Sequence, residues 1–309
     1  MTDATPPTYL PTVGGVPVPQ DKIFDPAVLQ FAHGFRLGGP TIGDPARRRR
    51  WLDHHRAVGT EVIRQLALGP IGSSLMLRGS WLLALWYGER AREPHDVDYV
   101  SLGSIDADEL VAGVVATLGA ASSVRDLGVR GADIELSPIW TYDRVEGRRL
   151  ALPWAVADDL VGVLQIDLTF DEPFDEPPVP WCLDDGTEVL AATPSQSLVW
   201  KLEWLLTDMY PQGKDLYDAV LLHEAAPLTA PQWRRAVDRV RSSDGWHRPT
   251  PPTADDLYVP DTEWAWFCEE YPQMTAGLSL PDLRRQLVDA IATCGLERVR
   301  RDRFTGWGG

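Results

Sequence analysis

Lysine is almost missing from this chain: among 309 residues it occurs only at 22, 201 and 214, against many arginines. Cysteine is as scarce. Cys182, Cys268 and Cys294 stand far apart, with no CxxC or Cys/His spacing, which excludes a disulfide framework or a zinc site as the organising feature. No run of about 18 apolar residues appears, so no transmembrane helix is expected. The opening MTDATPPTYL lacks the basic and apolar regions of a signal peptide, and a cytoplasmic protein without membrane association is expected. Positive charge is in overall deficit. The formal net charge of -16 disfavours general attraction to nucleic acid, because like charge repels the phosphate backbone. Arginines nevertheless cluster at Arg47 to Arg50, at Arg234, Arg235, Arg239 and Arg241, and at Arg298, Arg300, Arg301 and Arg303. These clusters read as solvated faces, or as one basic groove if they converge.

Three regions differ in character. Residues 1–44 open with many prolines and little apolar periodicity, as an N-terminal arm laid over the surface would. From residue 45 the stretch ARRRRWLDHHRAVGTEVIRQLAL has amphipathic helical spacing with Asp44 as its cap. Its neighbours His54 and His55 point about 100° apart on a helix and cannot share a metal. A short apolar strand, a Gly-Ser turn, an apolar helix and a strand from Asp96 follow, then a helix at about 106–119 and several strands over 132–170. Beyond residue 190 five segments carry helical spacing. The pattern predicts an α+β fold, with a mixed α/β domain over 45–190 and a helical domain over 191–309.

Chemistry gathers at a few positions. In LRGSWLLALWYG a strand delivers Gly79 and Ser80 to the opening of a helix. Free backbone N–H groups and the positive end of the helix dipole favour an anion there, glycine permits close approach, and the serine hydroxyl adds a donor. Fifteen residues separate Ser80 from Asp96-Val97-Asp98. Residues i and i+2 of a strand share a face, so the two carboxylates project together while Val97 packs inward. Hard oxygen donors of this kind suit Mg²⁺ or Mn²⁺ alongside substrate phosphates. A third carboxylate, Asp167, interrupts the apolar strand LQIDLTF, and a charge there needs a partner or a metal. With three carboxylates, Asp167 serves as general base or as a ligand on the acceptor side.

These residues, in this order, resemble the DNA polymerase β-like nucleotidyltransferase superfamily. The likeness narrows at 193–222, TPSQSLVWKLEWLLTDMYPQGKDLYDAVLL, which looks like the second conserved half of AbiEii-type toxins, including the mycobacterial MenT proteins. Lys201 falls on that family's lysine position, and Lys214-Asp215-Leu216-Tyr217-Asp218 on its second motif. The resemblance implies a nucleotidyltransferase core of mixed sheet packed on helices. It further implies NMP transfer from an NTP to an acceptor, the tRNA 3′ end, by a toxin with an antitoxin encoded nearby. Its implied site residues are Gly79, Ser80 and Lys201 for the nucleotide, Asp96, Asp98 and Asp167 for metal, and Lys201 and Asp215 in catalysis. Lys201 would reach triphosphate oxygens, oriented by Asp215; an ordinary salt bridge between helices is the plain alternative. Trp81, beside the glycine motif, has no evident role in sequence. Two other readings stand: transfer to a small cationic acceptor such as an aminoglycoside, suited to an acidic cleft, and a non-catalytic nucleotide-binding module.

Overall fold

The computed structural model of the chain describes residues 7–24, 34–141, 145–156, 160–208, 210–243 and 250–294. The third arginine cluster, from Arg298 to Arg303, lies outside them. Contacts divide the chain into two compact units, residues 1–173 with 177–192 and residues 174–176 with 193–309. No helix among the described residues is long and apolar enough to cross a membrane.

In the first unit two short ribbons come first: β1 (Thr12–Val13) with β2 (Val16–Pro17), and β3 (Gln20–Phe24) with β4 (Phe35–Pro40), both antiparallel. Helix α1 (Pro45–Leu68) follows, then β5 (Leu75–Arg78), α2 (Gly79–Tyr87), β6 (Asp96–Ser101), α3 (Ala107–Ala120) and the short α4 (Ser122–Asp126). Strands β7 (Glu135–Thr141), β8 (Val145–Val156), β9 (Leu160–Thr169), β10 (Val179–Cys182) and β11 (Glu188–Ala191) complete it. Seven strands form one mixed sheet in the order β10-β11-β5-β6-β9-β8-β7, with β6 parallel to β9 and β5 antiparallel to β6. The α+β expectation holds. The β10–β11 hairpin, for which the sequence reading assigned no strand, extends the sheet beside β5.

Each face of the sheet has its own cover. Helix α1 starts where Asp44 Oδ1 accepts the Arg47 N–H at 2.7 Å, and its stripe of Trp51, Val58, Val62, Ile63 and Leu66 is buried. Trp51 stacks on His55 and meets Trp154 of β8 at 5.4 Å between centroids. Trp81 of α2 also finds its place. A Cβ at Gly59 of α1 would lie 2.1 Å from the Trp81 ring, so the missing side chain is what admits the indole. On β9 every residue is buried. Leu164, Ile166 and Leu168 alternate with Val161, Val163, Gln165 and Asp167, and strand geometry sends the two sets to opposite faces. The second set meets the N-terminal ribbons, where Leu10, Val13 and Leu37 form one apolar cluster with Ala151, Val161 and Val163. Two buried glutamines stitch this contact. Gln165 accepts the Leu37 N–H and donates to the Thr8 carbonyl, both at 2.8 Å, while Gln20 accepts the Val163 N–H at 2.8 Å.

The second unit is helical: α5 (Pro194–Thr207), α6 (Gly213–Ala225), α7 (Ala230–Ser242), α8 (Asp261–Glu270) and α9 (Leu280–Thr293). Helix α5 is its axis, buried from Gln196 to Leu206. Residues 174–176 are tied to its start: Gln196 Oε1 accepts the Asp175 N–H, and Glu176 accepts from Thr193, Ser195 and Arg235. Burial alone would raise the Glu176 carboxyl, but these hydrogen bonds and the arginine charge more than offset it and hold it below the usual range.

The two adjacent histidines of α1 point to separate partners, His54 Nε2 to the Leu127 carbonyl at 2.9 Å and His55 Nε2 to the His95 carbonyl at 3.3 Å. Burial, aided by the neighbouring His95, lowers the His55 imidazole from 6.5 to about 3. Above about pH 6.5 the ring is neutral folded and unfolded, and adds no pH dependence. As pH falls from there toward about 3, only the unfolded chain takes the proton, so this group removes stability at up to ~1.4 kcal/mol per pH unit. We expect His55→Gln to flatten the fall of the urea midpoint between about pH 6 and about pH 4. Parallel curves for the two proteins would show that His55 does not carry it.

Candidate active site

Strand β5 ends on the buried Arg78, and the chain enters α2 through Gly79 at φ +76°, in the left-handed region that glycine occupies without strain. A side chain there is excluded twice over. Its Cβ would sit 2.0 Å from Asp98 Oδ2. Helix α2 opens with no side-chain cap and no acidic residue in its first turn, so its leading N–H groups have no capping side chain. The Ser80 hydroxyl is buried without a hydrogen-bond partner among the described residues. A buried hydroxyl in that state costs about 1–3 kcal/mol, which an incoming acceptor such as a phosphate oxygen would relieve.

Register brings the charges together. Asp98 stands opposite Arg78 on β5 and opposite Asp167 on β9, and Asp167 stands opposite Arg149 on β8. Cross-strand neighbours share a face, so four strands present one row reading arginine, aspartate, aspartate, arginine. Asp96, two residues before Asp98, projects from the same face. Oxygens from Asp96, Asp98 and Asp167 all lie within 4.8 Å of one another. Asp96 and Asp98 are partly exposed and Asp167 is buried. The donor set, three carboxylates at mutual ligand distance beside an uncapped helix start, fits a hard divalent cation.

Arg149 is the residue that sequence reading missed. Its Nε and Nη2 donate to Asp167 Oδ1 and Oδ2 at 2.7 and 2.6 Å, a fork-to-fork pair that gives the buried carboxylate a charged partner. Its Nη1 donates to the Phe35 carbonyl at 3.3 Å, tying the row to β4. Arg78 mirrors it at the other end, donating from Nη2 to Thr169 Oγ1 at 2.9 Å with Nη1 at 3.5 Å from the buried Glu172. A signal for Arg149 did exist: in GRRLALPW one arginine must take an inward strand position, and a buried guanidinium demands a carboxylate.

In the helical unit, Lys201 of α5 reaches Asp215 Oδ1 at 2.7 Å and Asp218 Oδ2 at 2.9 Å on α6, with the Trp204 ring 4.9 Å away. All three charged groups are buried. Asp215 Oδ2 has no hydrogen-bond partner among the described residues. Asp215 sits in the first turn of α6, where the helix dipole stabilises a carboxylate. The second arginine cluster is largely occupied internally: Arg239 pairs with the buried Glu203 at 2.6 Å, and Arg235 with Glu176 at 2.7 Å. On α7 the idea of an open basic groove is therefore reduced to the exposed Arg234 and Arg241.

Comparison with known proteins bears on this arrangement. A search of the solved structures returned a Helicobacter pylori protein described as JHP933, at 16% identity and a TM-score of 0.49, covering 83% of this chain and 97% of that one. It also returned a candidate nucleotidyltransferase of H. pylori, at 16% identity and a TM-score of 0.50, covering 82% and 98%. The second likeness concerns the fold alone. No curated protein sequence matches. The family described as nucleotidyl transferase AbiEii toxin, type IV toxin–antitoxin system, matches residues 61–291, a span that holds the glycine turn, the three aspartates, Lys201 and Asp215. That match covers well over half of the chain and sets aside the non-catalytic reading: the chain belongs to the AbiEii family of nucleotidyltransferase toxins.

Proposed function

We propose that the protein transfers an NMP from an NTP to the 3′ end of a tRNA in a Mg²⁺-dependent reaction, with Asp96, Asp98 and Asp167 as the metal site. One observation carries this reading: three carboxylates at ligand distance beside a helix start that has no capping side chain and a buried Ser80 hydroxyl without a partner among the described residues. The tRNA acceptor comes from the family resemblance. The N–H groups opening α2 and the Ser80 hydroxyl bind phosphate oxygens of the NTP. Mg²⁺, or Mn²⁺, held by the three aspartates would neutralise triphosphate charge and favour ionisation of the acceptor hydroxyl. The acceptor oxygen forms a bond to the α-phosphorus as the α–β bridging bond breaks, and pyrophosphate leaves with the bridging electron pair. Asp167 takes the hydroxyl proton or orients that hydroxyl, and Arg149 keeps the carboxylate in place for either role. For Lys201, held by Asp215 and Asp218, the role of a triphosphate-binding lysine comes from the family resemblance.

The net charge of -16 supports a second reading, transfer to a small cationic acceptor. The two are separated by incubating the protein with α-labelled NTPs, Mg²⁺ and either total tRNA or an aminoglycoside panel. We expect label in tRNA, abolished by EDTA, restored by Mg²⁺, and reduced roughly 100-fold or more in Asp98→Ala. Label appearing only on the aminoglycosides would overturn the acceptor; undiminished labelling by Asp98→Ala would overturn the site.

Gly79→Ala should lose NTP binding and unfold at lower urea, by about 1 kcal/mol or more, because the methyl meets Asp98 and the backbone is left-handed. Wild-type nucleotide affinity in this variant would remove the glycine turn from the site.

Arg149→Met leaves the buried Asp167 charge without its fork, and should cost ~3–5 kcal/mol in chemical denaturation. Adding Asp167→Asn should recover much of that loss. An additive double mutant would show that the pair is not coupled.

A further inference from the structure

The N-terminal ribbons carry a feature that packing does not use up. Phe24 and Phe35 are cross-strand partners at the end of the β3–β4 ribbon, with ring centroids 6.1 Å apart and edge-to-face, and Tyr9 meets Phe35 in the same way at 6.1 Å. Phe24 is 43% exposed, while Tyr9 and Phe35 are half-buried. Against these rings lies Lys22, its Nζ 4.0 Å from the Tyr9 centroid, 5.1 Å from that of Phe35, and 2.5 Å from the Tyr9 hydroxyl. Lys22 is one of the chain's three lysines, and it is exposed.

Its position is set by the catalytic row. The Phe35 backbone is pinned by Thr8, whose hydroxyl donates to the Phe35 carbonyl at 2.6 Å and accepts the Phe35 N–H at 3.1 Å. The same carbonyl accepts from Arg149 Nη1, and Arg149 holds Asp167 with its other two nitrogens. One guanidinium thus separates the ring cluster from the carboxylate on the acceptor side. Ring faces stack on unpaired bases whatever their identity, and a lysine supplies the cation for the adjoining phosphate.

Resting on the reading of the acceptor as RNA, we propose that Tyr9, Phe24, Phe35 and Lys22 form a stacking platform for an unpaired nucleobase near the acceptor's 3′ end. The platform holds the strand so that its terminal hydroxyl reaches the carboxylates; Phe24 supplies the exposed ring and Lys22 the phosphate contact. This makes the N-terminal segment part of acceptor recognition, not of nucleotide recognition.

The test uses the full-length protein and a short single-stranded RNA with a free 3′ hydroxyl and a fluorescent 5′ end, read by anisotropy without NTP, alongside binding of a fluorescent NTP. Phe24→Ala should weaken RNA binding about tenfold, and Phe24→Trp, which keeps a ring, should retain it. Lys22→Gln should lower the slope of log affinity against log salt by about one. NTP affinity should be unaffected by Phe24→Ala. Unchanged RNA affinity in Phe24→Ala, with wild type still labelling RNA, overturns the platform and leaves the function standing. Loss of NTP affinity in its place reassigns the rings to the nucleotide base and also overturns the proposal. A wild-type protein that binds no RNA and labels only a small molecule brings down both.

Discussion

Two aspartates of like charge stand directly opposite each other on neighbouring parallel strands, and the rest of the site answers that repulsion. Asp98 and Asp167 share one register level, with Asp96 close by on the same face. Adjacent carboxylates repel one another, the more so where burial keeps water from screening them. The chain responds with Arg149 beyond Asp167 and Arg78 beyond Asp98, each one strand further out. The buried carboxylate receives the bidentate partner, and the other two carboxylates are partly exposed.

The helical unit shows the same economy in a different setting. Lys201 lies between two acidic side chains of α6, and Arg239 meets Glu203 on the opposite side of α5. Both pairs are buried, where breaking one partner leaves an uncompensated charge. Such pairs fix the rotation and slide of α6 and α7 against α5 more tightly than apolar contacts alone, since each has one favourable geometry. The geometry at Lys201 fits the plain interhelical salt bridge as well as a nucleotide-facing lysine, and the orphan oxygen of Asp215 is the feature that distinguishes it from an ordinary one.

Local signals were legible in sequence and long-range ones were not. The capped start of α1, the strand-glycine-helix turn at Gly79, the shared face of Asp96 and Asp98 and the helical character after residue 190 all follow from periods and punctuation within a few residues. Asp167 was recognisable as an aspartate needing a partner, but the partner is set by β8–β9 register, and no local pattern encodes that Arg149 rather than Arg148 faces it. The β10–β11 hairpin hid among prolines, which edge strands tolerate because one side of their backbone faces no partner. Trp81 made sense only when Gly59, on another helix, was seen beneath it.

The glutamine stitches have a consequence in time. Gln165 bonds to Leu37 and Thr8, and Gln20 to Val163, joining residues 128 to 157 positions apart. Residues 8–37 therefore lack the larger part of their docking surface until β9 has been made, and closing so long a loop is entropically costly. The carboxylate row waits for the same strand, because Asp167 is part of it. A growing chain thus carries no complete row of charges until β9 has been synthesised, so that row and the segment that borders it are finished by one late strand.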